Sequence, residues 1–350
     1  EFQVDVEPYL MGGGAEPRKH DPHQPIRGSS VLGQVRWFWR LLHADLPVDA
    51  LREAEGMLFG SSSVGPARRP RAAAFSLTVL SKPGKTVTAP AQGNKGSYLL
   101  FSARPEEGRE TAAIASGVSA TLRLTSTSGA ELPADLLQAF KLWCLLGGVG
   151  SRTRRGVGAV QVKDGGPKTV AELTKALATL VQLQSTPAKV VRAIKGIWIG
   201  NSSNAALTCL EGLESWYKTY RQHRSGANHR GRSRWDEPDE IRRALGPPHH
   251  PNHAPRPHLG DHAAGWARAV MGLPIVFKFM DPRDPALTTL EPAAHNRVAS
   301  PLLFKPFRLG PNDYRPLVVL LDGPYLPAGA LVLKQGMNPP KSVQVTNEID

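Results

Sequence analysis

Apolar residues recur along residues 1–165 with two different periods, which separate predicted strands from predicted helices. Residues 2–8 are apolar at every second position from Phe2 to Val6, which is typical of a half-buried strand. Residues 29–44 instead place Val31, Val35 and Phe38 at helical spacing. The same reasoning predicts a second helix at 132–148 and further strands at 72–80, 96–103, 118–126 and 157–162.

The order of these elements predicts the fold class. Strand, helix, strands, helix, strand is the ferredoxin-like order with one extra hairpin strand. After Gly165 the pattern restarts, with helices predicted at 169–183, 211–222, 236–245 and 261–271 and strands at 273–279, 299–307 and 315–323. We therefore predict an α+β protein of two ferredoxin-like domains packed together. Residues 1–165 form the complete first domain, and residues 166–350 form a degenerate second domain with helical insertions.

Composition and charge exclude several classes of protein and favour binding to polyanions. None of the 350 residues lies in an apolar run approaching the length of about 18 that spans a bilayer. The two cysteines, Cys144 and Cys209, lack C-x-x-C spacing, which excludes a disulfide framework or a cysteine zinc site and favours the cytoplasm. The 43 basic and 30 acidic side chains give a net charge of +13, and such a surplus attracts polyanions such as nucleic acid.

The strongest local pattern is the glycine-rich segment at 147–160, whose cations are Arg152, Arg154 and Arg155. Glycines such as Gly150 let a backbone approach a ligand closely and present its N–H groups, while arginine binds phosphate through two N–H groups at once. The segment follows a helix and has no Lys-Ser/Thr pair, so it is not a Walker loop. The alternative interpretation is a glycine helix stop followed by solvated arginines.

A second basic segment lies on the first predicted helix. Arg36 and Arg40 share one face of that helix, opposite its apolar face. Arg27 and Gly28 precede the helix and Ser29 can cap it, so the first N–H groups could hold a phosphate. The neighbouring tryptophans, at positions 37 and 39, are more often core residues than base-stacking platforms.

A third basic segment at 217–235 contains no acidic residue and interleaves cations with aromatic rings. Its candidates for RNA binding are Arg230, Arg232 and Arg234. Cations for the phosphate backbone and flat rings for bases together bind single strands without reading sequence. The alternative is a solvated basic loop that offsets the acidic DEPDE segment after it.

The sequence supports an enzymatic function less well than it supports RNA binding. The histidines near 249–262 are separated by prolines, which disfavours a metal site. A metal-free ribonuclease could use His20, His23 or His43 as a general base, but no spacing marks a catalytic pair. We predict no catalytic residues, no metal and no cofactor.

Taken together, these segments resemble the RAMP proteins of CRISPR systems, and specifically the first-numbered RAMP subunit type of the type III-B Cmr effector complex. The matching motifs, in chain order, are PYLMGGG, IRGSSVLGQVRWFWR, MLFGSSS, GGVGSRTRRGVGAV, GRSRWDEPDEIR, GLPIVFKF and ASPLLFKPF. The resemblance covers nearly the whole chain.

The resemblance implies a cytoplasmic ribonucleoprotein subunit of antiviral defence, with two RAMP/RRM-like ferredoxin domains. It implies a non-catalytic role in which the chain binds the 3′ region of the guide crRNA and assists target RNA capture beside other Cmr RAMP subunits. Ser151 joins the arginines of the matching motifs as an expected RNA contact. Two alternatives stay open: a metal-independent endoribonuclease of the guide-processing RAMP type, and a structural adaptor that contacts only protein.

Overall fold

The computed structural model describes residues 1–16, 18–64, 69–90, 94–100, 113–181, 194–222, 232–256, 266–323, 326 and 330–343. Its helices are α1 (Gly28–Leu42), α2 (Val48–Phe59), α3 (Ala134–Leu146), α4 (Val170–Leu180), α5 (Ala206–Gln222) and α6 (Glu237–Leu245), with 3₁₀ turns at Pro251–His253 and Ala267–Met271. Its strands are β1 (Phe2–Glu7), β2 (Ser61–Val64), β3 (Arg69–Arg71), β4 (Phe75–Lys82), β5 (Lys85–Thr88), β6 (Ala113–Ser116), β7 (Val118–Ser126), β8 (Ala159–Val162), β9 (Ile194–Ile199), β10 (Ile275–Phe277), β11 (Thr288–Pro292), β12 (Leu302–Gly310), β13 (Asp313–Leu321), β14 (Leu331–Lys334) and β15 (Lys341–Val343).

The N-terminal sheet has the complete ferredoxin-like topology. Its strand order is β4-β7-β1-β8, and every neighbouring pair is antiparallel. With α1 after β1 and α3 after β7, this is a βαββαβ unit whose first and third strands are central. The strands β5 and β6 form a separate antiparallel pair, and neither is the extra strand predicted at 96–103.

A second sheet repeats part of this topology. The chain order β9, α5, β12, β13 gives the sheet order β12-β13-β9 with antiparallel neighbours. These elements correspond to the first three strands and first helix of a ferredoxin-like unit, and within the described residues this sheet has no fourth strand. The structure therefore confirms the α+β class and the degenerate second copy.

The chain divides into two compact units at other places than residue 165. Unit 1 comprises Glu1–Trp216 and Leu302–Gly323, and unit 2 comprises Tyr217–Pro301 and Pro324–Asp350. Unit 2 contains the sheet β10-β11-β14-β15. It consists of an insertion that begins within α5 and ends before β12, and of a C-terminal extension. Both ferredoxin-like sheets fall in unit 1 because they share one apolar core, in which Ile194 and Leu317 join Val4 and Trp143.

Helical spacing explains how the two long helices of the N-terminal copy pack. In α1, Val31, Val35 and Phe38 are buried as predicted. The helix α3 is buried on most of its surface, with Phe140 and Trp143 fully enclosed, because it contacts α1, β8 and β12. This position places the end of α3, and the glycine-rich segment after it, at the junction of the two sheets.

Some local predictions fail. In place of the helix predicted at 261–271, the described residues form a 3₁₀ turn at Ala267–Met271, and residues 261–265 lie outside the described residues. Residues 94–100 form turns rather than the strand predicted at 96–103, of which 101–103 lie outside the described residues. The helix α2 was not predicted, because its apolar positions are few and polar residues interrupt them. In the described part of the chain, no helix has both the length and the apolar character needed to cross a membrane.

Candidate nucleic-acid interface

The glycine-rich loop, defined here as residues 147–158, links α3 to β8. Gly147 ends the helix by donating its N–H to the carbonyl of Trp143 at 2.6 Å. Near the other end, the carbonyl of Gly158 accepts the N–H of Val149 at 2.8 Å. The loop is therefore a closed turn whose two ends are hydrogen-bonded to each other.

The loop also lies against the segment that follows β1. Ser151 donates its N–H to the carbonyl of Met11 at 2.7 Å, and Gly158 donates its N–H to the carbonyl of Tyr9 at 2.7 Å. These amides are used within the fold. The expectation that the loop offers its backbone N–H groups to phosphate is therefore wrong for them.

Steric contacts with neighbouring carbonyls explain two of the loop glycines. A β carbon at Gly150 would lie 2.6 Å from the carbonyl oxygen of Met11, and one at Gly158 would lie 2.0 Å from that of Val149. Both residues also have positive φ, at +83° and +72°. Close packing inside the protein thus requires glycine at Gly150, so its predicted RNA contact is not needed to explain it.

Arg154 and Arg155 leave the loop on opposite aromatic surfaces. The guanidinium of Arg154 lies over the ring of Trp37 on α1 at 5.2 Å, and that of Arg155 lies over the ring of Phe304 on β12 at 5.4 Å. Stacking uses the face of a guanidinium, while its N–H groups point outward in its plane. Each of the two guanidinium groups therefore contacts an aromatic ring, one on α1 and the other on β12.

Ser151 and Arg152 form the tip of the loop. Arg152 has a φ of 65°, a left-handed conformation that residues other than glycine rarely adopt. Ser151 is exposed and Arg152 is half-exposed. The structure therefore brings four of the predicted contacts, Ser151, Arg152, Arg154 and Arg155, together on one loop of fixed backbone.

A groove with a volume of about 210 Å³ is lined by residues of both α1 and the glycine-rich loop. Its lining includes Gly33 and Trp37 from α1 and Thr153 and Arg154 from the loop. Among the described atoms, none lies within 4 Å of where a β carbon at Gly33 would sit, so α1 is open to the groove here. An indole ring next to a guanidinium in one wall matches a nucleotide, whose base stacks and whose phosphate is anionic.

The start of α1 is a second cationic position in unit 1. The helix begins at Gly28 with Arg27 as its N-cap, so Ser29 lies inside the first turn instead of capping it as expected. Arg27 is exposed, and no side chain of the described residues caps the helix. The first N–H groups and the positive end of the helix dipole favour an anion, and Arg27 and Gly28 stay predicted RNA contacts.

The predicted basic face of α1 is largely paired within the protein. The Glu55 carboxylate on α2 forms an ion pair with Arg36, whose Nε lies 2.6 Å from Oε1, and it accepts a hydrogen bond from Arg40 Nε at 2.9 Å. Glu55 is only 5 % exposed, and Arg36 also donates to the carbonyl of Gly60 at 3.0 Å. Arg36 and Arg40 hold α2 against α1, a role that could not be predicted without recognising α2.

We expect Glu55→Gln to lower the free energy of unfolding by about 1 kcal/mol, because two half-exposed guanidinium groups lose their shared carboxylate. RNA affinity should stay unchanged if Arg36 and Arg40 serve only the fold. Urea unfolding and an RNA titration measure the two quantities, with Glu53→Gln on the exposed face of α2 as the control. Tighter RNA binding by the Glu55 variant alone would show that the released arginines bind RNA.

In unit 2, the acidic DEPDE segment pairs with the preceding basic segment. Arg232 donates to the carboxylate of Asp239, which is 2 % exposed. Asp239 also accepts Arg242 at 3.1 Å and Arg256 at 2.8 Å. The predicted contact Arg232 is therefore part of an ion-pair network that fixes α6 to the loops around it.

Arg234 differs from Arg232 because it is exposed and stacked. Its guanidinium lies 4.9 Å from the ring of Tyr220 and 4.6 Å from that of Trp235. The indole N–H of Trp235 donates to the carbonyl of Tyr220 at 3.0 Å and fixes this arrangement. Arg234 keeps the cation and aromatic combination expected of a single-strand contact, whereas Arg230 lies outside the described residues.

Of the histidines considered for catalysis or metal binding, His20, His43 and His253 have other contacts, whereas His23 is exposed. His20 is buried against a threonine hydroxyl, and His43 Nδ1 lies 2.8 Å from the carbonyl of Trp39. His253 Nδ1 lies 2.8 Å from the carboxylate of Asp284. Among the described residues, no group of three or more His, Cys, Asp or Glu side chains could hold a metal ion. His258 and His262 lie outside the described residues.

Two residues that shape the interface were not identified from the sequence. Glu55 gave no signal because its importance depends on α2. Phe304 belongs to the segment ASPLLFKPF, which is a predicted strand and a motif of the resemblance but gives no sign of a role for Phe304 in the interface. A period-2 pattern identifies a strand but not which distant loop the strand contacts, so no local signal could have linked Phe304 to Arg155.

Known proteins resemble this chain in sequence family and in fold. The model of the RAMP superfamily matches residues 6–161. The crystal structure of apo Cmr1 from Pyrococcus furiosus is similar with a TM-score of 0.53 and 16 % identity, covering 93 % of this chain and 88 % of that chain. A chain of the cryo-EM structure of the type III-B Cmr-β bound to cognate target RNA is similar with a TM-score of 0.51 and 11 % identity, covering 92 % of this chain and 94 % of that chain. A search of curated protein sequences gives no significant match.

At these identities the structural likenesses show the fold alone, and the family model matches only the N-terminal copy of that fold. The matched residues begin in β1, end in β8 and include the glycine-rich loop with its three arginines. They therefore cover most of the N-terminal ferredoxin-like sheet. Residues 6–161 of this chain are thus similar to the RAMP superfamily.

Proposed function

We propose that the chain is a non-catalytic RNA-binding subunit of a type III-B CRISPR (Cmr) ribonucleoprotein effector. It binds the 3′ region of the guide crRNA and assists capture of target RNA in antiviral defence. Its partners are the crRNA, the target RNA and other Cmr RAMP subunits. The similarity in fold to Cmr1 and to a chain of the RNA-bound Cmr-β complex supports this proposal.

The observation that carries the proposal is the glycine-rich loop beside the groove along α1. Arg154 is stacked on Trp37 at 5.2 Å in the wall of that groove, and Arg152 and Ser151 lie at the tip of the same loop. A nucleotide needs a flat apolar surface and a fixed cation within one residue length, and this arrangement supplies both. The net charge of +13 adds a long-range attraction for the strand.

The pairing of the arginines refines the set of RNA contacts that we propose. Arg36, Arg40 and Arg232 already hold carboxylates, and Gly150 shapes the loop. The proposed contacts are then Arg27, Gly28, Ser151, Arg152, Arg154, Arg155 and Arg234. Five cations that each neutralise one phosphate give a slope of log affinity against log salt of about −3.5 for a single strand.

The test is to titrate the native chain with an end-labelled single-stranded RNA carrying a guide 3′ region, in EDTA, between about 50 and 200 mM salt. We expect the steep slope above and intact RNA, because His20 and His43, two of the three candidates for a general base, are engaged in the fold. Clean cleavage that is lost on replacing one histidine would favour the metal-independent endoribonuclease. No measurable RNA affinity would favour the adaptor that contacts only protein.

A further inference from the structure

Phe304 and Lys305, consecutive residues of β12, contact the glycine-rich loop from two sides. The N–H of Phe304 donates to the carbonyl of Arg154 at 3.1 Å, and its ring lies under the guanidinium of Arg155. Lys305 Nζ donates to the carbonyl of Gly147, where the loop begins, at 3.2 Å. Because consecutive strand residues point to opposite faces, one strand of the C-terminal sheet fixes both the start of the loop and its arginines.

Lys305 is a buried lysine whose partners are carbonyl groups. It is 2 % exposed, and its Nζ donates to the carbonyls of Cys144 at 2.6 Å and Gly147 at 3.2 Å. These carbonyls belong to the C-terminal end of α3, where a helix leaves acceptors without intrahelical donors and carries the negative end of its dipole. The ammonium thus binds the end of α3 and the first residue of the loop at once.

The surroundings of Lys305 allow its charge to change near neutrality. Burial lowers the pKa of Lys305 to about 7. Among the described residues, the titratable group acting on it is the Cys144 thiol of α3, and burial raises the pKa of that thiol to about 12. The residue opposite on β13 is the apolar Leu317. The Cys144 thiol therefore stays neutral while Lys305 titrates.

We propose that Lys305 is a positioning residue for RNA binding, which in its charged form fixes Gly147 and thereby presents the arginines of the glycine-rich loop to phosphate. This inference rests on the proposed RNA-binding function. An ammonium binds carbonyl oxygens more strongly than a neutral amine does. The loop should therefore hold RNA more tightly below neutrality than above it.

The first test compares Lys305→Met with Lys141→Met, which removes the same charge from the exposed side of α3. We expect Lys305→Met to weaken single-stranded RNA binding about tenfold, since a charged hydrogen-bonding group is lost. The slope of log affinity against log salt should become less negative by up to about 2, because the three loop arginines are no longer held in position to contact phosphates. Equal affinity and equal slope for the two variants would overturn the proposal.

The second test is the pH profile of the native chain at constant salt, from about pH 6 to about pH 8. RNA affinity should fall with rising pH in the native chain and in Lys141→Met, and Lys305→Met should lose this fall. The free energy of unfolding should instead rise with pH. The unfolded chain keeps the Lys305 proton up to its ordinary pKa of 10.5 and the folded chain releases it near 7, so stability rises between these values.

These opposite trends separate positioning from a merely structural role, which would move affinity and stability together. If Lys305→Met does not fold, the native profile still decides, because a flat profile contradicts the proposal. The joint variant Arg152→Ala, Arg154→Ala, Arg155→Ala separates the two levels of inference. If the triple variant binds RNA like the native chain, the proposed loop interface is wrong. If the triple variant loses RNA binding while Lys305→Met keeps the native affinity and pH profile, only the proposed role of Lys305 is wrong.

Discussion

Replacing Arg152, Arg154 and Arg155 together with alanine should weaken single-stranded RNA binding about 100-fold at 0.1 M salt, on the basis of about 1 kcal/mol for each lost charged contact. The slope of log affinity against log salt should become less negative by about 2, because each phosphate contact contributes about 0.7. Fluorescence anisotropy of a labelled strand over a salt series measures both quantities.

The matched control removes three arginines from elsewhere on the surface. Arg52, Arg123 and Arg283 are exposed and pair with Asp49, Glu1 and Asp281. Their joint replacement by alanine lowers the net charge by the same amount. If both triple variants change affinity and slope equally, RNA is attracted by net charge alone and the loop is not its site.

Gly158→Ala should be the most damaging small substitution in the loop. The new β carbon would meet the carbonyl oxygen of Val149 at 2.0 Å, at a residue whose φ is +72°. The closed turn must then open, and with it the hydrogen bond from Gly158 to Tyr9. We expect a loss of about 3 kcal/mol in the free energy of unfolding, together with a loss of RNA affinity.

Gly117→Ala provides the control for backbone strain. Gly117 has the same φ of +72°, and among the described residues no atom lies within 4 Å of the added β carbon. This variant should cost only about 1 kcal/mol, which is the conformational penalty by itself. Urea unfolding of both variants gives the comparison, and equal losses would mean that the contact with Val149 relaxes at little cost.

The sequence predicted the fold class because hydrophobic period reports local structure directly. The strands β1, β7 and β13 and the helices α1 and α3 lie where their periods predicted them. The compact units could not be predicted, since the apolar faces of β12 and β13 carry no mark of the sheet whose core they join. An inserted unit that begins within α5 and ends before β12 leaves no local signal beyond its own elements.

The candidate site was predicted in part. Composition located the glycine-rich loop and its arginines, because glycine and arginine have distinctive properties at any position. The pairing of Arg232 with Asp239 agrees with the alternative in which the basic segment offsets the acidic segment after it, whereas Arg40 looks like a solvated cation until folding brings Glu55 beside it. Lys305 was missed for the same reason, because its partners are backbone carbonyls that belong to a helix 161 residues away along the chain.

We propose above that single-stranded RNA lies along the glycine-rich loop and the groove beside α1. Photo-crosslinking of a 4-thiouridine RNA to the native chain, followed by mass spectrometric mapping of the linked peptides, tests it most directly. We expect crosslinks within residues 147–158 and at Trp37. The triple arginine variant should abolish these crosslinks. Crosslinks confined to other surfaces, or unchanged in that variant, would contradict it.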